Sequence, residues 1–180
     1  MEHFEDFRFC PKCGHAYRES DFNLDDHAFH CRHCERSFFQ NTIPSATVVI
    51  PMEGSPQKIV LITRAIPPGE GLLALPGGIA DYGETMESAA CREALEETNL
   101  QIRLQRLLSM PVIDYRYRGR NHKVIEHMFL AWPIAPDTLF QSTPEATSVG
   151  FYDIGALIDW EERFALPEQC RELAGYLETL

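Results

Sequence analysis

Glu93, Glu96 and Glu97 stand at i, i+3 and i+4 in a segment that has no Gly or Pro from residue 86 to residue 98. On a helix this spacing lines three carboxylates along one stripe, with the small residues Ala89 and Ala90 one turn earlier. Like charges so placed repel one another. A hard divalent cation turns that repulsion into coordination, because Mg²⁺ takes carboxylate oxygens together with waters and phosphate oxygens. The plainer reading is a solvated acidic helix face, and an ExxEE string alone favours it.

The surrounding residues supply the element that would position these carboxylates. Thr85 or its neighbour can cap a helix, and Glu84 and Glu87 suit the positive end of its dipole. Pro76-Gly77-Gly78 places a glycine turn just before it, and Asn99 follows it, where a left-handed cap is wanted and Asn is the next most tolerant residue after Gly. From Gly78 to Leu100 the chain reads GIADYGETMESAACREALEETNL, or G, five residues, E, seven residues, R-E, two residues, E-E. At about 6% per residue type, six fixed identities arise by chance in such a chain on the order of once in a hundred thousand sequences.

This string resembles the Nudix box, matched by Gly78, Glu84, Arg92, Glu93, Glu96, Glu97 and the closing apolar Leu100. Two positions depart from the usual pattern: Asn99 replaces a Gly, and Ala94 is smaller than the customary aliphatic residue. Neither removes a ligand. The resemblance implies that Glu93, Glu96 and Glu97 hold Mg²⁺ or Mn²⁺, joined by the backbone carbonyl of Gly77 or Gly78. Arg92 then orients a box glutamate, since its guanidinium fork suits carboxylate pairing, and Glu84 serves a water or another metal. In this family water attacks a phosphorus of a diphosphate bridge, and Glu145 sits where many members carry a general base. A turn acid on the surface is the other reading of Glu145.

Four of the six cysteines fall in the first 34 residues, as Cys10-Pro-Lys-Cys13 and Cys31-Arg-His-Cys34, with 17 residues between the pairs. Two CxxC pairs at this separation read as a tetrahedral Cys₄ zinc site, each pair gripping the ion from a tight turn, with Gly14 after the first. Two disulfides or unmetallated thiols are the alternatives, the former weakened in a cytosol that keeps thiols reduced. His15, His30 and His33 compete less well as ligands than the symmetric cysteines. Cys91 and Cys170 read as small buried hydrophobes. Residues 1 to 42 hold eight acids against five bases, so the ribbon lacks the footprint of a nucleic-acid reader and the zinc reads as structural.

The formal charge of −11 disfavours tight binding to nucleic-acid backbones and requires an anionic substrate to be received through metal ions or a local Arg/Lys cluster. No run of 18 apolar residues suggests a membrane span, and the acidic start MEHFEDFRF does not read as a signal peptide, so a cytoplasmic protein is expected. At 180 residues the chain can bury one substantial core. We expect a zinc ribbon over residues 1–42 and a Nudix domain over 43–180. Ser45–Pro51 and Lys58–Thr63 suggest a hairpin, Leu100–Ile113 and Val124–Ile134 two long strands, and Asp153–Trp160 and Pro167–Leu180 helices. The irregular mixture points to an α+β fold, and the resemblance makes it an α-β-α sandwich with a mixed sheet.

A ribbon ahead of a Nudix domain is similar to the NADH diphosphatase group and to enzymes that cleave ADP-ribose or FAD. The former carries Ser-Gln-Pro-Trp-Pro-Phe-Pro beyond the box. Here Ser109-Met110-Pro111-Val112-Ile113-Asp114 keeps Ser and Pro without the aromatics. The resemblance therefore ranks ADP-ribose, FAD and NADH in that order as small-molecule substrates, with two alternatives: a nucleoside triphosphate pyrophosphohydrolase, and a sensor that binds without cleaving. Arg64, Arg116 and Arg118 are the substrate-binding candidates. The stretch from Asp114 to Arg120 interleaves tyrosines with arginines, which fits base stacking and phosphate clamping, but an exposed hairpin or a dimer contact is the favoured reading. His122 and His127 read as ordinary packing residues, and many relatives are homodimers.

Overall fold

The computed structural model describes residues 7–135, 137–141, 143–157 and 161–180. Contacts within the chain separate two units, Met1–Asn41 and Thr42–Leu180. In the first, β1 (Phe22–Asn23), β2 (Ala28–His30) and β3 (Ser37–Phe39) form an antiparallel sheet. Its core comprises Cys10, Tyr17, Phe29 and Cys31, with Phe22 packed 4.8 Å from Phe29, ring centre to ring centre. A core this small cannot offset the entropy of ordering its segment without a further tie.

In the second unit the chain continues through β4 (Ile43–Val49), β5 (Pro51–Met52), β6 (Ser55–Arg64), β7 (Leu73–Ala74) and β8 (Gly77–Ile79). Helix α1 (Met86–Thr98) follows, then β9 (Ile102–Ser109), β10 (Val112–Tyr117), β11 (Arg120–Pro133), β12 (Ala146–Asp153) and α2 (Pro167–Leu177). One sheet runs β10-β11-β4-β8, with β9 also on β11, and the other runs β12-β6-β5, with β7 also on β6. The β4–β11 pair is parallel and the remaining pairs are antiparallel.

Strand alternation divides the interior into two layers. Ala46 and Val48 of β4, with Val60 of β6 and Phe129 and Ala131 of β11, pack against Ala89, Ala90 and Ala94 of α1. On the opposite face Val49, Ile59, Leu61, Met128 and Leu130 pack with Cys170, Leu173 and Tyr176 of α2. The domain is thus an α-β-α sandwich with a mixed sheet, as the sequence led us to expect. Each large side chain fully buried in these layers stabilises the fold by about 1.5–3 kcal/mol.

Three local expectations are corrected. Ser45–Pro51 and Lys58–Thr63 do not pair as one hairpin: β4 lies between β11 and β8 while β6 lies in the other sheet, and only β5 turns back on β6. Both runs are apolar on both faces because both strands are internal, so their pattern carries no partner information. The run Leu100–Ile113 is broken at Met110-Pro111, where Pro offers no N–H, and β9 and β10 pair end to end along the same edge of β11. Asp153 closes β12 rather than opening a helix. Its side chain accepts from the Gly155 N–H at the start of a 3₁₀ turn over Ile154–Ala156, and residues 158–160 lie outside the described ones. The segment from Asp114 to Lys123 is itself strand, turning at Arg118-Gly119 with positive φ at both, the geometry of a tight two-residue hairpin.

Candidate active site

Helix α1 starts and stops on local chemistry. Thr85 Oγ1 accepts from the Ser88 N–H at 3.2 Å, Ser88 Oγ accepts from the Thr85 N–H at 3.1 Å, and Asn99 closes the helix in the left-handed region at φ 64°. This fixes which face meets the sheet. Glu93 and Glu97, one turn apart, are only 9% and 4% exposed. Glu96 leans to the rim, its side chain 57% exposed. The three carboxylates therefore divide into a buried pair and an outer member.

The buried pair lies against β8. The Gly77 N–H donates to Glu97 Oε2 at 2.8 Å. At Gly78 a Cβ would stand 2.5 Å from Glu93 Oε1, so only glycine lets this carboxylate approach the strand so closely. Gly77 is glycine for another reason: its Cβ would meet Ala46 O at 2.4 Å and Thr47 Cα at 2.7 Å.

Arg92 ties the acids together. Its Nε and Nη2 reach the two Glu84 carboxylate oxygens at 3.1 and 2.9 Å, and Nη1 reaches Glu93 at 2.7 Å and Glu96 at 3.0 Å. The contact with Glu84 is the bidentate fork that carboxylates favour. It holds the Glu84 carboxyl below its ordinary value. Arg92 thus contacts Glu84, Glu93 and Glu96, and it is not among the residues lining the adjoining cavity.

That cavity, about 320 Å³, has chemically distinct ends. One is formed by Gly77, Gly78, Glu93, Glu97, Arg64 and Glu145. Burial pushes the Glu97 carboxyl up to about 8; the Gly77 N–H and Arg64 oppose the rise, while Glu93 and Glu145 add to it. Burial likewise raises Glu93, against the pull of Arg92. Glu145 is held in place by its backbone oxygen, which accepts from the Ala65 N–H at 2.8 Å. A buried, mutually repelling pair of carboxylates set close against the Gly77-Gly78 backbone fits a hard divalent cation.

The other end is apolar and aromatic, with Ile113, Tyr115, Tyr117 and Val124, and the two tyrosine rings stack at 6.2 Å. By strand alternation Arg116 points to the opposite face of β10 from these tyrosines. Arg118 sits at the turn, its guanidinium 5.2 Å from the Tyr117 ring centre. Neither arginine lines the cavity, whereas Arg64 does, fixed by Nε donating to the Pro68 oxygen at 2.7 Å.

Sequence reasoning missed Glu126 and Gln169. Both are 1% exposed and both line the cavity. Gln169 Oε1 accepts from the Leu75 N–H at 3.0 Å, and its Nε2 donates to Glu126 Oε1 at 2.8 Å. Burial pushes the Glu126 carboxyl up to about 7, only partly countered by Gln169. The available signal was a lone charge inside the apolar run Val124–Ile134, anomalous for a strand buried on both faces. Nothing in the sequence linked it to Gln169, 43 positions away.

In the ribbon, the four sulfurs of Cys10, Cys13, Cys31 and Cys34 lie within 4.8 Å of one another, with Cys10–Cys34 and Cys13–Cys31 each at 3.6 Å. No disulfide joins them. The two turns match: the Gly14 N–H donates to Cys10 O and the Glu35 N–H to Cys31 O, both at 2.8 Å, and both residues have positive φ. Such a cluster fits a tetrahedral metal ion with thiolate ligands.

The sandwich, the capped helix and the glutamates set against a Gly-Gly strand together define a Nudix-type domain. Residues 42–168 match the profile of the NUDIX domain, and the chain belongs to that family. It is 29% identical over 111 residues to the NAD-capped RNA hydrolase NudC of Salmonella heidelberg (strain SL476), a match covering 61% of this chain and 40% of the relative's length. Among solved structures, a NUDIX hydrolase from Nitrosomonas europaea superposes with a TM-score of 0.72 at 24% identity, covering 96% of this chain and 91% of the other. A bifunctional NMN adenylyltransferase/ADP ribose pyrophosphatase from Francisella tularensis, complexed with AMP and a Mn ion, gives 0.56 at 24% identity over 78% of this chain and 42% of its own. Among the described residues no helix is long and apolar enough to cross a membrane.

Proposed function

We propose that this protein hydrolyses the diphosphate bridge of a nucleoside diphosphate joined to another group, releasing a nucleoside monophosphate. The observation that carries this reading is the cavity itself, with buried carboxylates and a glycine strand at one end and an apolar, aromatic wall at the other. The first end suits a diphosphate received through cations, and the second a flat ring.

Glu93, Glu96 and Glu97 would hold Mg²⁺ or Mn²⁺, with a backbone carbonyl of Gly77 or Gly78 completing the set. The ion, when bound, neutralises the bridging oxygens and makes water a better nucleophile. Arg92 keeps Glu93 in register with Glu84, and Arg64 faces the phosphates from the end of β6. A water oxygen bonds to one phosphorus, the bridging P–O bond breaks with its electrons leaving on the departing phosphate, and Glu145 takes the proton of the water. The position of Glu145 on the cavity wall, close enough to raise Glu93 and Glu97, supports this role. Zn²⁺ on the four cysteines would fold the ribbon without joining the chemistry. Reduced thiols of this kind suit a cytoplasmic protein.

The substrates in order are ADP-ribose, FAD and NADH. The curated relatives' name adds NAD-capped RNA to the panel, although the acidic chain offers little attraction for an RNA backbone. Chromatography of products from these compounds and from nucleoside triphosphates, with Mg²⁺ or Mn²⁺, tests the proposal. AMP from a diphosphate-linked compound is the expected product. Pyrophosphate from a triphosphate would replace the proposal with a nucleotide pyrophosphohydrolase, and binding without cleavage would replace it with a sensor.

A further inference from the structure

Two cavity-lining residues, Glu126 and Thr47, each keep a buried side-chain oxygen without a partner among the described residues, and the hydrolysis uses neither. Glu126 Oε2 is fully buried and has no hydrogen-bond partner among the described residues, although Glu126 lines the cavity. An unpaired buried carboxylate oxygen costs free energy, so a structure that keeps one has a use for it. The other oxygen is committed. Because the Leu75 N–H fixes Gln169 Oε1 as an acceptor, Gln169 can only present its amide N–H to Glu126 Oε1.

Strand register places this oxygen relative to its surroundings. In the parallel β4–β11 pair Glu126 lies opposite Ser45 and Met128 opposite Thr47. Glu126 and Thr47 are therefore diagonal neighbours on the same face of the sheet. Thr47 Oγ1 is also buried, unpartnered and part of a cavity-lining residue. The paired residues Ile113 and Val124, followed by Tyr115 and Tyr117, continue the same face as apolar walls.

We infer that Glu126 is a specificity-determining residue that accepts a hydrogen bond from the –NH₂ group of a flat heteroaromatic ring, with Thr47 Oγ1 meeting a neighbouring ring or amide atom. The tyrosines and aliphatic side chains bound the ring, and the committed Glu126 Oε1 leaves Oε2 as the acceptor. Two ligands share this chemistry, an aminopurine nucleotide and a pyridine carboxamide nucleotide. The inference rests on the nucleotide reading of the cavity and says which ring that cavity prefers.

Equilibrium titration of the 180-residue chain with Mg²⁺ present, at a pH well above 7 where Glu126 is ionised and its Oε2 accepts, tests it through two matched pairs: AMP against IMP, and nicotinamide mononucleotide against nicotinate mononucleotide. One pair should show preference for the amino-bearing member by roughly ten- to a hundredfold, the range for a hydrogen bond to a charged group. AMP over IMP assigns the site to the purine, and nicotinamide over nicotinate to the carboxamide. Glu126→Gln is nearly isosteric, and with Gln169 still donating, its remaining group is an N–H donor. That variant should invert the preference toward IMP or nicotinate, whereas a purely structural role would weaken both members equally. Equal affinities within both pairs, no binding by any of the four, or an unchanged preference in Glu126→Gln overturns the inference. A preserved preference without cleavage of any diphosphate would instead overturn the proposed hydrolysis and leave this inference standing.

Discussion

Among the described residues two places suit metal ions, and they are built on opposite plans. In the ribbon the four cysteines themselves form much of the core, alongside Tyr17 and Phe29. In the Nudix domain the glutamates sit on a helix already capped at both ends and packed through three buried alanines, and each buried carboxylate already has a protein partner. An ion held in the first arrangement would be part of the fold. The second builds a frame that stands by itself and leaves the ion to chemistry. Ligand softness agrees, thiolates suiting zinc and carboxylates suiting magnesium or manganese.

The largest expected effect comes from chelation. Removing the cysteine-bound ion should cost the ribbon on the order of 10 kcal/mol of folding free energy. Hydrogen exchange would then show protection lost over residues 7–41 and kept over the sandwich. Protection lost equally in both units would erase the contrast.

Glu126 tests how much buried charge the frame tolerates. Its folded pKa, about 7, lies above the ordinary 4.5. The folded state therefore holds the proton more tightly, and the resulting stabilisation is complete below about pH 4.5 and lost as pH rises to about 7. Relative to Glu126→Gln, the wild type should lose about 3 kcal/mol across that window. Denaturant titrations at several pH values measure it, and a flat difference would contradict the burial argument.

The adjacent glycines sharpen the distinction between frame and chemistry. Gly77→Ala drives a methyl into backbone and should cost about 1–3 kcal/mol of stability. Gly78→Ala meets only the end of the Glu93 side chain, so it should leave the melting temperature nearly unchanged while lowering kcat by roughly ten- to a hundredfold. Similar stability losses in the two variants would show that Gly78 serves the fold. The smallest effect is at Asn99, where Asn99→Gly relieves the left-handed cap and should change stability by no more than about 1 kcal/mol in thermal unfolding.

What could be read from the sequence followed how local the physics was. The bounds of α1 were legible to about a residue because the caps Thr85 and Asn99 act within a few positions, while the part played by Ser88 in the cap came from the structure. The cysteine turns were legible for the same reason. The pairing of β4 was not, since a strand apolar on both faces does not say which neighbour it joins. Glu126 was illegible as a site residue because its role depends on α2 delivering Gln169 from 43 positions away. Arg116 and Arg118 drew attention because they alternate with tyrosines, and strand alternation and the turn place them off the cavity.

The most direct test of the account is cleavage of ADP-ribose, FAD and NADH by wild type and Glu97→Gln, with stability measured on both. The account predicts AMP from at least one compound, a loss of a hundred- to a thousandfold, roughly, in the variant, and a domain that remains folded. Equal rates in the two proteins would contradict it.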